Sequence, residues 1–310
     1  MGRDKANPVP VLGVNGVARL AHGYAYSHTC ALLDTGGVSC WGENEHGERG
    51  VGDTAVYQDA TAATYADGTV VSLVTSLSVG LTHSCAVVDD GRVRCWGFNE
   101  FGQIGDGTQS ATATSPAAVI YADGTQLTTA KSVHCGEYQT CTVLVDDTVW
   151  CWGKNDKGQL AVGDTDTNAL TVKVPNIDGV QSVSLGTMPA HHACALLRNN
   201  TLRCWGSNEY GNLGLGDTME RTSPVTVTAI DAVRSAQVGG GYTCAALVDD
   251  SFWCWGRNGK FQLGLSSTAN VPLPQEIPGI KDLPPPVPKC TCYETKMKRM
   301  GFVTQECKAE

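Results

Sequence analysis

Cysteines are the residues of this chain best placed to do chemistry, and ten of the fourteen obey one rule. A first cysteine is followed ten residues later by Cys-Trp-Gly, at Cys30/Cys40, Cys85/Cys95, Cys141/Cys151, Cys194/Cys204 and Cys244/Cys254. Thiols in such a series can hold a metal, act as nucleophiles or oxidise to disulfides. Structural zinc needs four ligands, commonly paired with about two to four residues between them. Here nine residues separate two thiols, and each unit supplies only two. No nucleophile has an evident base beside it. One disulfide within each unit accounts for all ten.

The stretch inside each pair reads as a hairpin. Between Cys30 and Cys40 lie an apolar run, a turn cluster and a second short strand. If the cysteines face each other, the loop has three residues, and its third must tolerate a left-handed backbone. The copies offer Gly36, Gly91, Asp147, Asn200 and Asp250 there, and never a β-branched or bulky residue. Facing cysteines in a non-hydrogen-bonded pair are close enough to bridge. Each staple then stabilises its hairpin by about 2–3 kcal/mol in the chain-entropy model.

The first cysteines recur 55, 56, 53 and 50 residues apart, so the positioning unit is a stacked supersecondary repeat. Thirty-six glycines, 42% apolar residues and 17% charged residues suit an all-β chain of short strands and tight turns. The Trp after each second cysteine falls on the opposite strand face and is expected to pack between neighbouring sheets. A net charge of −9 speaks against nucleic acid, which requires a basic surface. No stretch reaches the roughly 18 apolar residues of a membrane helix, and no membrane insertion is expected. Five staples imply an oxidising compartment, extracellular, lumenal or periplasmic. Met1–Pro8 has no signal-peptide core, so a targeting segment outside these residues is expected.

After each Trp comes a second block, such as Gly42-Glu-Asn-Glu-His-Gly47 and Gly97-Phe-Asn-Glu-Phe-Gly102, closing on Gly-Asp-Thr or its variants. With the preceding His28-Thr-Cys-Ala-Leu32 and His83-Ser-Cys-Ala-Val87, this resembles the regulator-of-chromosome-condensation repeat, in its cysteine-paired, secreted-type branch. The resemblance implies a β-propeller of four-stranded blades, usually seven. This chain shows five repeats over residues 7–283, which predicts a five-bladed ring, with an open ring as the alternative. Closure would require one terminus to supply a strand to the other's blade, and Pro8–Val11 and Val271–Pro274 compete for that slot.

Outside the staples, His28, His83 and His192 share one repeat position, held by Gln139 and Tyr242 elsewhere. Repeat registration explains them without a metal. Asp53, Asp164 and Asp217 end turns without the spacing of a calcium loop. No metal, cofactor or catalytic residue is expected. The insertions Thr64-Tyr-Ala-Asp-Gly-Thr69 and Tyr121-Ala-Asp-Gly-Thr125 are turn hairpins and candidate partner contacts, through Tyr65, Asp67, Tyr121 and Asp123. Residues 284–310 are a Pro-rich linker and a basic tail with Lys296, Lys298 and Arg299, further partner candidates. Cys307 is expected to pair with Cys290 or Cys292, leaving the other for Cys135 or a second molecule, unless Cys135 is a quiet buried thiol. Asn199 heads an Asn-x-Thr sequon on a hairpin loop and is a glycosylation candidate.

These features predict a non-catalytic propeller that binds protein partners, as a scaffold or as a subunit of an assembly. The resemblance keeps two alternatives open. One is an enzyme inhibitor like the propeller-type β-lactamase inhibitors; the other is a nucleotide-exchange factor for a small GTPase.

Overall fold

A computed structural model describes residues 10–23, 28–55, 59–278, 290–296 and 303–309, the last two stretches as backbone strands only. No helix among them is long and apolar enough to cross a membrane. Residues 1–277 and 278–310 form separate units.

The first unit is five four-stranded antiparallel sheets, each built from one contiguous stretch in the order inner to outer. Blade 1 comprises β1 (Val17–His22), β2 (Thr29–Leu33), β3 (Val38–Trp41) and β4 (Thr61–Ala62). Blade 2 comprises β5 (Val74–Val79), β6 (His83–Val88), β7 (Val93–Phe98) and β8 (Thr112–Ala118). Blade 3 comprises β9 (Ala130–Cys135), β10 (Gln139–Leu144), β11 (Val149–Gly153) and β12 (Asn168–Lys173). Blade 4 comprises β13 (Val180–Leu185), β14 (His192–Leu197), β15 (Leu202–Gly206) and β16 (Arg221–Thr226). Blade 5 comprises β17 (Val233–Val238), β18 (Tyr242–Leu247), β19 (Phe252–Gly256) and β20 (Val271–Glu276). The inner strands of all five border one central cavity of about 460 Å3.

The hairpin reading holds in every blade. The registers pair Cys30 with Cys40, Cys85 with Cys95, Cys141 with Cys151, Cys194 with Cys204 and Cys244 with Cys254. Their Cα atoms lie 4.1 Å apart, and each pair is bridged. The third loop residue is left-handed throughout, with φ of 78° at Gly36, 77° at Gly91, 61° at Asp147, 64° at Asn200 and 65° at Asp250. The loop chemistry therefore sets the register that the staple locks.

No strand is borrowed for ring closure among the described residues; Pro8 and Val9 of the first candidate segment lie outside them. Val271–Pro274 lies in β20, the fourth strand of blade 5 itself, and Pro10 and Val11 are exposed and outside any strand. Every blade finds its own four strands locally, so none of the described propeller strands is left to exchange.

In the second unit, β21 (Cys290–Lys296) pairs antiparallel with β22 (Val303–Ala309), and the register sets Cys292 opposite Cys307. Lys298 and Arg299 lie outside the described residues, as does the side chain of Lys296.

Candidate functional site

Alternating strand direction gives the propeller two faces. The connections β1–β2 and β3–β4, with their counterparts, emerge on one side, here the block face. The cysteine hairpins and the links between blades emerge on the other, the hairpin face. What holds both in place is a latch at each blade junction.

The latch is built from residues about one repeat apart. In blade 2 the Trp96 indole N–H donates to the Glu48 carbonyl of blade 1 at 2.7 Å. The equivalent bonds run from Trp152 to Gln103 (2.8 Å), Trp205 to Gln159 (2.9 Å) and Trp255 to Asn212 (3.0 Å). All four rings are 0% exposed. A hydroxyl of the later blade donates to the same carbonyl, from Ser84 to Glu48, Thr140 to Gln103 and Thr243 to Asn212. That hydroxyl in turn accepts from the imidazole Nε2 of the earlier blade, His28 (2.6 Å), His83 (2.9 Å) or His192 (2.9 Å). Burial pushes these imidazoles down to about 3 at His28 and His83 and about 4 at His192, so they are neutral. The repeated histidines are junction parts.

Junction three departs from the pattern. Ala193 replaces the hydroxyl, and Gln139, in the histidine slot, donates to the Gly186 carbonyl at 3.4 Å instead. The Asn of each block is also structural. Asn44, Asn99, Asn155, Asn208 and Asn258 are fully buried and accept from the backbone N–H five residues on. The carboxylates of Asp53, Asp164 and Asp217 accept from Asn44, Asn155 and Asn208 and cap the same loops.

On the block face, blades 1 to 3 gather aromatic rings that sequence reading missed. His46 packs on Phe98 with centroids 4.8 Å apart, and Phe98 meets Tyr138 at 5.8 Å. Phe101 lies 5.0 Å from Tyr138, and the Lys154 ammonium stands 5.3 Å and 5.7 Å from these two rings. Beside them the buried Glu137 carboxylate faces His191 Nδ1 at 3.2 Å. Burial raises the Glu137 carboxyl and lowers His191. The rings are half-buried, which leaves a rigid apolar patch with a cation above it. Its signal was in the alignment of the blocks, where Phe98 and Phe101 replace Glu43 and His46.

The hairpin face holds the anticipated insertions. In each, an Asp carboxylate accepts from the backbone N–H and hydroxyl of the Thr two residues on, Asp67 from Thr69 and Asp123 from Thr125. The Thr hydroxyl first, then its backbone N–H, lowers each carboxyl. Tyr121 stacks edge-on against Trp150 at 5.0 Å, and Arg94 lies 5.9 Å above the Tyr65 ring. Asn199 is exposed on its loop, its side chain accepting from the Thr201 N–H.

Cys135 is a buried free thiol that donates to the Ser78 carbonyl, and burial pushes it up to about 12. His83, Cys85 and Cys135 place potential ligand atoms within 4.8 Å of one another, but Cys85 is already bridged to Cys95. Two available donors do not make a structural metal site.

The family model for the RCC1-like domain matches residues 1–292. The chain belongs to the RCC1-like domain family. It is similar to the ultraviolet-B receptor UVR8 of Arabidopsis thaliana, 31% identical over 217 residues, which cover 70% of this chain and 48% of that one. Protein pim1 of Schizosaccharomyces pombe is 27% identical over 229 residues, covering 68% and 41%. The chain thus spans less than half the length of these two relatives. Human WBSCR16 shares the fold with a TM-score of 0.70 at 22% identity, over 84% of this chain and 67% of that one. Prp20p of Saccharomyces cerevisiae, described with binding to Gsp1p and histones, gives a TM-score of 0.64 at 18% identity, over 84% and 63%.

Proposed function

We propose that this RCC1-like protein is a non-catalytic binding module of an oxidising compartment, with the block face as its main recognition surface. The observation that carries the reading is the ring cluster of Phe98, Phe101 and Tyr138 with Lys154 above it. Aromatic side chains on a rigid support are effective binding anchors because little conformational freedom is lost on contact. The insertion hairpins, by contrast, already satisfy their Asp side chains internally. The five bridged pairs support the compartment and a place in the secreted-type branch.

A partner that packs rings against this patch is also what an enzyme inhibitor of the propeller type would need, and the cluster favours that alternative over nucleotide exchange. Crosslinking and mass spectrometry on native material identifies the partner. A Phe98→Ala/Phe101→Ala/Tyr138→Ala variant should then lose at least about 100-fold in affinity. Deleting 65–69 or 121–125 should change it little. If the deletions abolish binding and the ring variant does not, the hairpin face is the recognition surface. Intact mass before and after reduction tests the compartment: native protein should gain two hydrogens for each of the five bridges.

A further inference from the structure

The side chain just ahead of each second cysteine differs from blade to blade: Ser39, Arg94, Trp150, Arg203 and Trp253. Most of them are engaged within the propeller. Ser39 is buried, Arg94 lies over the Tyr65 ring, and Arg203 donates to the Asn176 carbonyl and to Thr226 Oγ1. The Trp253 indole donates to Ser251 Oγ at 2.9 Å. Trp150 departs from them. Its ring meets Tyr121 at 5.0 Å and 71°, and its indole N–H has no partner among the described residues. The Tyr121 hydroxyl has none among them either.

Local chemistry fixes both rings in place. Tyr121 opens the insertion hairpin, which is closed by the Tyr121 N–H to the Thr125 carbonyl at 2.8 Å and by the Ile120–Gln126 bridge. Thr171, in β12, ties that hairpin to blade 3 by donating its hydroxyl to the Ile120 carbonyl at 3.2 Å. Trp150 stands in the neighbouring strand β11. Both half-buried rings, with Asp123, Thr125 and Thr171, line a groove of about 510 Å3, a volume within the range of small-molecule sites. Asp123 is exposed and binds Thr125 through Oδ1 alone, at 2.9 and 2.6 Å, which keeps Oδ2 available. Every one of these residues lies inside the array, at the junction of blades 2 and 3.

The groove thus offers two aromatic surfaces, an unspent indole N–H, an unspent phenol and one carboxylate oxygen. A wholly apolar occupant would strand these polar groups out of water. An anion would be repelled by Asp123. A cation suits the carboxylate and the rings but cannot accept from the indole N–H. A sugar meets every demand: its C–H faces stack on aromatic rings, and its hydroxyls both donate and accept. Faces flat enough to stack belong to pyranoses with equatorial substituents. Chains of these joined by β-1,4 linkages are extended, as a groove requires.

We infer that this groove is a saccharide site for β-linked, gluco-configured chains, separate from the ring patch of the block face. One pyranose stacks in the corner of Tyr121 and Trp150. A hydroxyl or acetamido oxygen accepts from the indole N–H, and a hydroxyl donates to Asp123 Oδ2. Both rings are already held, so little ordering is required on binding. Blade 2 carries the same insertion without the site, because Arg94 stands where Trp150 does and lies over Tyr65.

The test titrates the full chain with cellohexaose and with chitohexaose while the indole N–H resonances are followed by NMR. At least one probe should shift the Trp150 resonance, which is assigned by its loss in Trp150→Phe. Trp150→Arg copies the residue of blades 2 and 4, so it should melt like wild type yet bind at least about 10-fold more weakly. Trp150→Phe keeps a ring and removes the donor, and should bind about 2- to 10-fold more weakly. Asp123→Asn keeps an acceptor for Thr125, removes the one at Oδ2, and should weaken binding by a similar factor. Tyr65→Ala, in the equivalent hairpin of blade 2, should leave binding unchanged. The inference is overturned if neither probe binds, if Trp150→Arg binds as wild type does, or if choline or an arginine-rich peptide shifts the Trp150 resonance in place of the sugars.

Discussion

Trp152 and Trp41 fill the same slot of the same repeat, yet one is sealed and the other is part exposed. Around Trp152 the previous blade supplies a carbonyl at 2.8 Å, a histidine and a glycine seat. Around Trp41 no described residue supplies any of these. Each repeat thus encodes two half-latches, and burial belongs to the junction instead of the blade. In a repeat array, intrinsic and interface stabilities are separate quantities, and these two regions allow each to be measured.

The largest difference should come from the rings. Trp152→Ala removes a buried side chain and leaves the Gln103 carbonyl short of a donor, and should cost about 3–5 kcal/mol. Trp41→Ala should cost less than about 1 kcal/mol in dilute solution. Urea denaturation of both variants gives the comparison. Equal losses would mean that the fifth junction is covered in the isolated chain.

The staples should not distinguish the two regions, because each lies inside one blade. Replacing Cys141 and Cys151 by Ser, or Cys30 and Cys40 by Ser, should lower stability by about 2–3 kcal/mol in either case. A much smaller effect in blade 1 would show that its hairpin is held by something other than its disulfide.

Acid should act on the latched junctions. His28, His83 and His192 sit in them, at about 3, 3 and 4, against an unfolded value near 6.5. Between those limits the unfolded chain binds more protons than the folded one, so stability falls as pH falls through the window and levels off below it. At pH 5 each histidine should account for roughly 2 kcal/mol of the loss. His83→Gln, copying the residue at Gln139, should remove its share of the slope in urea titrations from pH 7 to pH 4. An unchanged slope would show that His83 protonates as freely in the folded state as in the unfolded.

These tests separate what was legible in the sequence from what was not. The hairpins were legible because cysteine spacing, the left-handed loop residue and turn chemistry are all local. Asp147, Asn200 and Asp250 in a position otherwise held by Gly are enough to place the turn. The latch was not, because Thr140 finds His83 57 residues away and Gln103 37 residues away. Only the repeat period brings them together. The ring patch was hidden for the same reason: Phe98 and Phe101 look like ordinary loop variation until Tyr138 and Lys154 arrive from the next blade. The missing cover on blade 1 was the least visible, since Trp41 and Thr29 match their counterparts in type.

Junction three offers the smallest and most exacting test, because there the chain has a latch with parts removed. Trp205 still donates to Gln159 at 2.9 Å, so the carbonyl is in place. The register sets Ala193 opposite Trp205, as it sets Thr140 opposite Trp152, so a hydroxyl at 193 would reach that carbonyl. Ala193→Thr alone should be neutral or destabilising, because it adds volume to a fully buried site whose hydroxyl would lack its imidazole donor. Gln139→His alone buries an imidazole with no hydroxyl to receive its N–H, and should also lose stability. Together they restore the order of imidazole, hydroxyl and carbonyl found at the other junctions. The double variant should exceed the sum of the singles by about 1 kcal/mol in a urea double-mutant cycle. It should also acquire the acid sensitivity that Gln139 avoids. Additive losses with no new pH dependence would show that the latch is a by-product of blade packing and not a cause of it.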